Sequence, residues 1–302
     1  MRGESIQIFD RYAGQEVQEA VYGESSLRFA YETSIGRAGT ACLFSRPFIS
    51  RLFGWYMKRP TSARKIRPFV NNYGLNEEEF SRPVEAFESF NAFFCRELRP
   101  DARPVDSTPD SVVFPADARH LGFQELGSEE RVFVKGQSWD LGKLLGGNAE
   151  LIRRFSGGSL VLSRLCPVDY HHFHYPVSGT VGPACWLGRR LYSVSPIALR
   201  QRLAYLWENL RCLTRIKTDS IGEVCFIEVG ATNVGSIRHR PLPPDLKATK
   251  GEPKGWFEFG GSSVITLFEP GAVTLSDDLT GCSARGIELY ARCGDKMGTF
   301  SR

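Results

Sequence analysis

The sequence lacks several features that would assign it to a functional class at once. Its eight cysteines never form a CxxC pair, which excludes a zinc ribbon and a thioredoxin-type dithiol. Its net charge is only +4, which excludes a strongly basic nucleic-acid-binding protein. No stretch is long and apolar enough for a membrane-spanning helix, and MRGESIQIFD holds no apolar core of a secretory signal. We therefore expect a protein with reduced cysteines that is cytosolic or lies on a membrane surface.

The composition is that of a globular protein. Of its 302 residues, 42% are apolar and 24% are charged, and both fractions exclude disorder, collagen and coiled coil. The length suits one large domain, or a core with an appendage, better than three domains.

The small net charge conceals an uneven distribution. Residues 25–70 hold nine Lys or Arg against the single acid Glu32, so this segment carries +8 and the remainder of the chain −4. Basic residues interleaved with Phe, Trp and Tyr are typical of a surface helix that rests on anionic lipid. A helical subdomain with a solvated basic face is the alternative, and composition alone favours it.

The sequence pattern changes from helical to β-type about one third of the way along the chain. The first hundred residues have helical periodicity, and we expect Pro47, Pro60 and Pro68 to break them into short helices. From Ser111 onward short β-type runs alternate with Gly and Pro, and one helix is expected from Pro196 to about residue 209. The β-type runs are SVVFPAD, RVFVKG, SLVLSRL, YPVSGTV, RLYSVSP, CLTRIKT, EVCFIEVGA, GWFEFGG and SSVITLF. The pattern predicts an α+β fold, with a helical, basic region at 1–105 and a mainly antiparallel β core with few helices at 106–302.

Histidine is scarce, and three of the five fall within four residues, at His171, His172 and His174. On an extended segment His172 and His174 share one face while His171 takes the other. No HExxH pattern or cysteine partner stands nearby to complete a metal site, and hydrogen-bonded structural histidines are the plainer alternative. Beside Asp169 the cluster favours acid–base chemistry.

A Gly-Ser step, Gly261–Ser262, lies between the apolar runs WFEF and VITLF. Alone it is typical of a hairpin turn. A serine that follows glycine also has open access to the glycine carbonyl, as an N→O acyl shift requires. Asp117, in FPAD, is either a turn carboxylate or the acid of a hydroxyl–imidazole–carboxylate relay. Spacing alone does not show that these residues meet.

These residues stand in blocks that resemble phosphatidylserine decarboxylase, a family of pyruvoyl-dependent enzymes that make phosphatidylethanolamine. The seven blocks, in order, are SFNAFFCRELRPDARPV, PAD, VKGQSWDLGKLLGG, RLCPVDYHHFHYPVSGTV, LYSVSP, EVCFIEVGATNVGSI and KGWFEFGGSSVITLF. They cover nearly the whole chain, and their order and separation argue against coincidence. VYGESSLRFAYETSIGR and FSRPFISRLFGWYM resemble the longer-headed bacterial branch of the family.

The resemblance implies a self-processing triad of Asp117, His174 and Ser262. The family cuts its precursor at a Gly-Ser bond, which here joins Gly261 to Ser262 and would give the chains 1–261 and 262–302, which stay associated. The Ser262 hydroxyl would attack the Gly261 carbonyl, with His174 as base and Asp117 orienting the imidazole. β-Elimination and hydrolysis would then leave a pyruvoyl group at the new chain end.

The pyruvoyl cofactor is likewise implied by the resemblance. Its ketone forms a Schiff base with the substrate amine and, with the adjacent amide carbonyl, takes up the electron pair left when CO2 departs, as pyridoxal phosphate (PLP) does elsewhere. We therefore expect neither PLP nor a metal. His171, the first histidine of the DYHHFH block, is implied as the acid that protonates the substrate carbon.

Some positions depart from the family's usual pattern. They are Ala118 in place of glycine, His172 in place of arginine, Leu210 in place of an acid, and Ser263 in place of threonine. None removes a member of the triad. We therefore expect activity, with room for an altered substrate preference.

The function implied by the resemblance is conversion of phosphatidylserine to phosphatidylethanolamine and CO2. A lipid substrate makes residues 25–70 the expected docking surface on an anionic membrane, and it places the protein peripherally on the cytoplasmic face of the cell membrane. We expect no nucleic-acid partner, and a homodimer is left open. The main alternative is a pyruvoyl-dependent decarboxylase of a soluble amino acid. A non-enzymatic β-rich binding module and a zinc hydrolase at the histidine cluster are weaker alternatives.

Overall fold

The structure is a computed structural model that describes residues 6–19, 21, 23–40, 47–127, 132, 137–231, 237–241, 247–260 and 262–301. Within these ranges the α-helices are α1 Glu24–Glu32, α2 Ser34–Gly39, α3 Pro47–Met57, α4 Ile66–Tyr73, α5 Phe90–Phe94, α6 Leu141–Leu144, α7 Ala149–Phe155, α8 Pro196–Gln201, α9 Tyr205–Glu208 and α10 Asp277–Ala284. Short 3-10 helices span Pro60–Lys65, Glu77–Glu79 and Val84–Ala86. No helix in the described part of the chain is both long and apolar enough to cross a membrane.

The described strands fall into three sheets. They are β1 Gln7–Asp10, β2 Gln15–Gln18, β3 Ser111–Val113, β4 Ala118–Phe123, β5 Ser159–Leu165, β6 His172–His174, β7 Gly179–Val181, β8 Cys185–Leu187, β9 Arg211–Lys217, β10 Glu223–Gly230, β11 Ile237–His239, β12 Lys247–Ala248, β13 Pro253–Phe257, β14 Ser262–Phe268, β15 Val273–Leu275, β16 Glu288–Ala291 and β17 Lys296–Phe300. The large sheet has the order β12-β7-β9-β10-β14-β5-β4-β16-β1-β2, with β8 also paired to β9. The two small sheets are β11-β13-β6 and β15-β17-β3.

The pairing is antiparallel throughout the described strands of the large sheet, except where β1 runs parallel to β16. Hairpin-type neighbours such as β9 and β10 need no crossover helix, which is why so few helices interrupt the core. The prediction of an α+β fold with a mainly antiparallel core is confirmed.

Alternating side chains give the large sheet two buried faces. In β10, Cys225 and Ile227 contribute to a core shared with α6, α7, α8 and α9, here called the helical face. Their neighbours Val224 and Phe226 contribute to a core shared with the two small sheets and α10, here called the small-sheet face. Because both faces are covered, the central strands β5, β10 and β14 are buried at nearly every position.

An aromatic cluster joins the N-terminal helices to the core. Ser89 caps α5 by accepting a hydrogen bond from the backbone of Ala92, and α5 then presents Phe90, Phe93 and Phe94. These rings pack with the rings of α4 and with Phe259, three residues before β14. The cluster therefore anchors the helical region beside the start of β14.

The N-terminal region is mostly helical, as predicted, but two of its segments join the core sheet. β1 and β2 form a hairpin whose β1 pairs with β16, so residues 7–18 extend the large sheet. Their sequences, QIFD and QEVQ, are largely polar and carry no clear alternation, so composition did not reveal them. The division of the chain at residue 105 stays a prediction.

Local structure also differs from expectation at three places. Pro68 does not break a helix but lies in the first turn of α4, where its missing N–H is not needed. The helix expected from Pro196 to about residue 209 is two helices, because Arg202 adopts an extended conformation between them. No Pro or Gly marks this break, and Arg202 pairs instead with Glu208. RLYSVSP forms only an isolated bridge at Arg190, and RVFVKG lies almost wholly outside the described residues.

The aromatic cluster gives a stability prediction. Phe93 is fully buried and packs edge-to-face against Phe69, Phe80 and Phe87, so Phe93→Ala should lower the free energy of unfolding by about 3–5 kcal/mol. Urea unfolding followed by circular dichroism measures this loss. Phe29→Ala is the matched control because Phe29 is 59% exposed, and its effect should stay within about 0.5 kcal/mol. Equal losses in the two variants would contradict the packing described here.

Candidate active site

The candidate residues gather at one end of the large sheet. Ser262 begins β14 and pairs with Leu165, the last residue of β5. β5 pairs on its other side with β4, where Arg119 stands opposite Arg164. Asp117 immediately precedes β4, so it lies at the same end as Ser262, with only β5 between their two strands. With neighbouring strands about 4.8 Å apart, this places the Asp117 and Ser262 backbones roughly 10 Å apart.

Ser262 is completely buried, and its Oγ has no hydrogen-bond partner among the described residues. Strand alternation places its side chain with Val264 on the small-sheet face, whereas Ser263 faces the helical side with Ile265. Gly261, the predicted other half of the cleavage bond, lies outside the described residues. Gly260, just before it, has a φ of 142°, a backbone conformation that favours glycine.

His174 is held as a neutral base. Its backbone N–H donates to the Pro115 carbonyl at 2.7 Å, which places β6 beside the segment that carries Asp117. Its ring Nδ1 lies 2.9 Å from the Gly251 carbonyl and must donate, because a carbonyl only accepts. The proton is therefore on Nδ1, and Nε2 carries the lone pair, with no partner in the described ranges. Burial lowers the pKa of His174, and the Asp117 charge opposes this shift.

Asp117 is buried, and its carboxylate is held by a different partner from the one predicted. Arg103 donates to it through Nε at 2.9 Å and Nη2 at 2.6 Å, and the backbone N–H of Cys293 donates at 2.9 Å. No hydrogen bond joins Asp117 to His174, or His174 to Ser262, in the described part of the structure. The three residues share one end of the sheet, but hydrogen bonds do not connect them in the described structure. The triad therefore stays a prediction.

His171 lies against the strand that pairs with Ser262. Its ring nitrogen Nε2 donates to the Cys166 carbonyl at 2.9 Å, and Cys166 directly follows Leu165. The ring stacks on Phe94 with centroids 3.8 Å apart. Burial, together with the nearby charge of Arg96, lowers the pKa of His171 well below its usual value. His171 is therefore neutral at pH 7, with its lone pair on Nδ1.

The three histidines do not converge on one point. His172 stacks on Tyr170, whose ring also contacts His174, so these two histidines share one side of β6. The predicted alternation is confirmed, because His171 contacts Phe94 instead. His172 donates from Nε2 to the Cys95 carbonyl at 3.1 Å. This arrangement gives no support to a zinc site at the histidine cluster.

Buried arginines around the site were missed by sequence reasoning. Arg103 holds Asp117, Arg119 pairs with Asp169, and Arg96 donates to the carbonyl of Val168. Arg96 and Arg103 both stand in the block SFNAFFCRELRPDARPV, which was quoted for its resemblance and not for its charge. An arginine within a block that otherwise matches the family is the signal that could have found them.

An apolar cavity of about 510 Å3 opens beside the site. Its wall includes Leu27 of α1 and Phe53 of α3, together with Leu165, Phe259 and Gly260. The cavity therefore runs from the N-terminal helices to the chain segment just before Ser262. Its size and apolar lining suit a long hydrocarbon group.

The buried histidines predict a pH dependence of stability. Burial lowers the pKa of His172 to about 4, whereas the unfolded chain takes up the proton near pH 6.5. The unfolded state thus binds more protons between these values, and the free energy of unfolding should fall as the pH drops from 6.5 to 4, by about 3 kcal/mol from His172 alone.

Urea unfolding at a series of pH values measures this slope. His172→Gln keeps a donor for the Cys95 carbonyl but does not titrate, so its slope should be shallower than that of the unsubstituted protein. The comparison concerns slopes and not absolute stability. Identical slopes would show that His172 is not held neutral.

Comparison with known proteins assigns the chain to a family. A sequence model described as phosphatidylserine decarboxylase matches residues 90–287. The chain is 39% identical to a phosphatidylserine decarboxylase proenzyme of Chlamydia caviae, over 98% of this chain and 99% of that protein. It is also 39% identical to the proenzyme of Chlamydia felis, over 97% of each chain, and 36% identical to that of Chlamydia pneumoniae, over 98% of each. The chain belongs to the phosphatidylserine decarboxylase family.

Proposed function

We propose that this protein is a self-processing, pyruvoyl-dependent decarboxylase that converts phosphatidylserine to phosphatidylethanolamine and CO2. One observation carries the proposal. Ser262 has a buried hydroxyl with no partner in the described structure, at the sheet end where His174 presents an unprotonated Nε2. A buried hydroxyl left unpaired is costly unless the site uses it, and here it follows a glycine.

Processing begins with the side chains of the unprocessed chain. The Ser262 oxygen attacks the Gly261 carbonyl carbon while His174 Nε2 takes the hydroxyl proton. The peptide C–N bond breaks, the Ser262 nitrogen receives the proton, and an ester joins the two residues. Loss of the Ser262 Cα proton then expels the Gly261 carboxylate and leaves dehydroalanine. Water hydrolyses the tautomeric imine, ammonia leaves, and a pyruvoyl group caps residues 262–302.

The orphaned Ser262 hydroxyl fits a residue that is converted to this cofactor. Once formed, the pyruvoyl group supplies a carbonyl that condenses with the substrate amine and an electron sink for decarboxylation. We assign the return of a proton to the substrate carbon to His171, which donates to the carbonyl of Cys166, the residue after Leu165. Because burial keeps His171 neutral, its Nδ1 would first take up the proton that the substrate ammonium group releases when the Schiff base forms, and its lowered pKa then favours release of that proton to the carbon.

The pairing of β14 explains why the two products would stay together. β14 pairs with β10 from Ser262 to Phe268 and with β5 over the same residues. β16, which also lies in the small product, pairs with β4. Cleavage at Gly261–Ser262 falls at the first residue of these ladders, so the pairing of residues 263–268 on both sides of β14 would be kept.

The lipid substrate is supported by the outer surface of the N-terminal helices. Large apolar side chains are exposed there: Phe29 at 59%, Ile35 at 78%, Leu52 at 55% and Trp55 at 54%. Phe29, Leu52 and Trp55 lie on α1 and α3, two of the helices that contribute to the cavity wall, so a lipid held at this surface would lie close to the apolar cavity beside Gly260. A soluble amino acid needs neither the surface nor the cavity, so this alternative is less well supported.

The basic charge of this region is partly neutralised within the protein. Arg67 pairs with Glu77 and Glu85, and Lys58 pairs with Glu258. We infer that the exposed apolar side chains provide much of the membrane attachment and that the remaining basic charge favours anionic lipid. Attachment at the cytoplasmic face of the cell membrane is part of the same proposal.

Self-processing predicts two chains. Intact-mass measurement of purified protein should show residues 1–261 and a pyruvoyl-capped chain of residues 262–302. Ser262→Ala should give one intact, inactive chain, because no hydroxyl can attack the Gly261 carbonyl. Ser263→Ala is the matched control: Ser263 is equally buried, but its side chain faces the other side of β14, so cleavage should continue. Active protein that consists of one uncleaved chain would exclude the pyruvoyl mechanism.

Membrane attachment predicts a difference between two tryptophans. Trp55 and Trp186 are exposed to similar extents, 54% and 50%, but only Trp55 lies on the helices that wall the cavity. Trp55→Ala should weaken flotation with vesicles that contain anionic lipid roughly ten-fold, equivalent to about 1.4 kcal/mol of lost apolar burial. Trp186→Ala should leave flotation unchanged.

Two results would contradict this assignment. Equal losses of flotation in Trp55→Ala and Trp186→Ala would show that the N-terminal helices are not the membrane-docking surface. Equal binding of the unsubstituted protein to neutral and anionic vesicles would show that electrostatic attraction does not contribute to membrane binding.

A further inference from the structure

Three side chains with metal-binding atoms meet on the small-sheet face, away from the histidine cluster. Cys212 on β9 and Glu228 on β10 are register partners, so their side chains lie side by side on the same face of the large sheet. His239, on β11, reaches them from the small sheet. One ligand atom from each, the Cys212 sulfur, a Glu228 carboxylate oxygen and a His239 ring nitrogen, lies within 4.8 Å of the other two. We call these residues the Cys–Glu–His cluster.

Polar atoms in the cluster face each other without being satisfied. Glu228 is fully buried, and its Oε1 pairs with Lys254 Nζ. Its Oε2 lies 3.5 Å from His239 Nε2, and neither of these atoms makes a hydrogen bond within the described structure. At this distance the two groups form an ion pair when His239 is protonated, whereas a neutral ring with its proton on Nδ1 leaves the buried carboxylate oxygen without a donor, which is costly. A cation between the two atoms would satisfy both.

We propose that the Cys–Glu–His cluster binds a divalent transition metal of the zinc class. A thiolate, an imidazole and a carboxylate are the three ligand types that zinc uses, whereas calcium and magnesium take oxygen ligands. Zinc bonds of 2.0–2.3 Å require ligand atoms roughly 3.5 Å apart, so atoms that now lie up to 4.8 Å apart would approach each other by up to about 1.3 Å. The three ligands leave a fourth coordination position for a small ligand, although the ligand atoms of Glu228 and His239 are themselves buried.

The charges of the site fit one divalent ion. On binding, the Cys212 thiol releases its proton to solvent as the metal–sulfur bond forms. The thiolate and the Glu228 carboxylate then balance the two charges of the ion. Lys254 stays on Glu228 Oε1 and adds one positive charge, so we expect the fourth ligand to be water that ionises readily or a small anion.

The position of the cluster gives the metal a structural role. Glu228 stands two residues before Gly230, the β10 partner of Ser262. His239 lies on β11, which pairs with β13, and β13 pairs in turn with the strand that carries His174. A metal at the cluster would therefore fasten the small sheet that carries His174 to the large sheet that carries Ser262.

Cobalt is the probe that tests this site. Full-length protein freed of metal with a chelator should bind one Co2+, with a thiolate-to-cobalt charge-transfer band and the visible spectrum of a four-coordinate ion. One equivalent of Zn2+ should remove the band and raise the melting temperature. Trp186, whose ring lies 6.0 Å from the His239 ring, should be quenched by Co2+.

The variants decide which residues bind. Cys212→Ser should abolish the charge-transfer band, and His239→Ala should weaken cobalt binding at least about ten-fold. Cys185→Ser is the control, since Cys185 is an exposed cysteine on the neighbouring strand β8 and should leave the band unchanged. If Cys212→Ser does not fold, the cobalt affinity of His239→Ala is the test. This variant should fold, because the His239 side chain is partly exposed. No band in the unsubstituted protein, or a band that survives Cys212→Ser or is undiminished in His239→Ala, would overturn the proposal.

Discussion

The arrangement of the site depends on the double pairing of β5. This strand is hydrogen-bonded to β14 through Ser262↔Leu165 and to β4 through Arg119↔Arg164, so one register places Ser262 and Asp117 at a common end of the sheet. A slip of one residue between β5 and β14 would turn the Ser262 side chain from the small-sheet face to the helical face. Close packing on both faces opposes that slip, because the same movement would place Val264 and Ile265 in spaces shaped for other side chains.

The second constraint is that a buried carboxylate needs a partner. Asp117 satisfies this through Arg103, whose guanidinium also pairs with Glu79, while the Gly251 carbonyl orients the His174 ring. In the arrangement described, the His174 tautomer needed for a base is therefore set by a backbone carbonyl and not by Asp117. The Asp117 charge still favours the imidazolium that forms when His174 takes a proton. Asp117 can thus assist through space while it remains paired to Arg103.

Sequence reasoning reached the fold class and the central strands from local patterns, whereas it named the candidate site residues from resemblance. EVCFIEVGA and SSVITLF were read from their apolar, β-branched character, and they form β10 and β14. The roles of His171 and His174 came from resemblance, since spacing alone does not show that they approach Ser262. The polar hairpin β1–β2 and the Arg103–Asp117 pair were missed because each depends on a tertiary contact. Local propensity and spacing do not contain such contacts.

The position of the proposed cleavage site would allow the chain to be cut without loss of the fold. A break inside β14 would remove ladder hydrogen bonds on two sides, whereas a break between Gly261 and Ser262 lies before the first paired residue. Phe259 remains anchored in the aromatic cluster and Ser262 in the sheet, so each new chain end begins from a fixed point. The new terminus at residue 262 then lies next to Gly260 and the apolar cavity. The ladder that keeps the products together therefore also holds the reactive terminus beside the space where a lipid would enter.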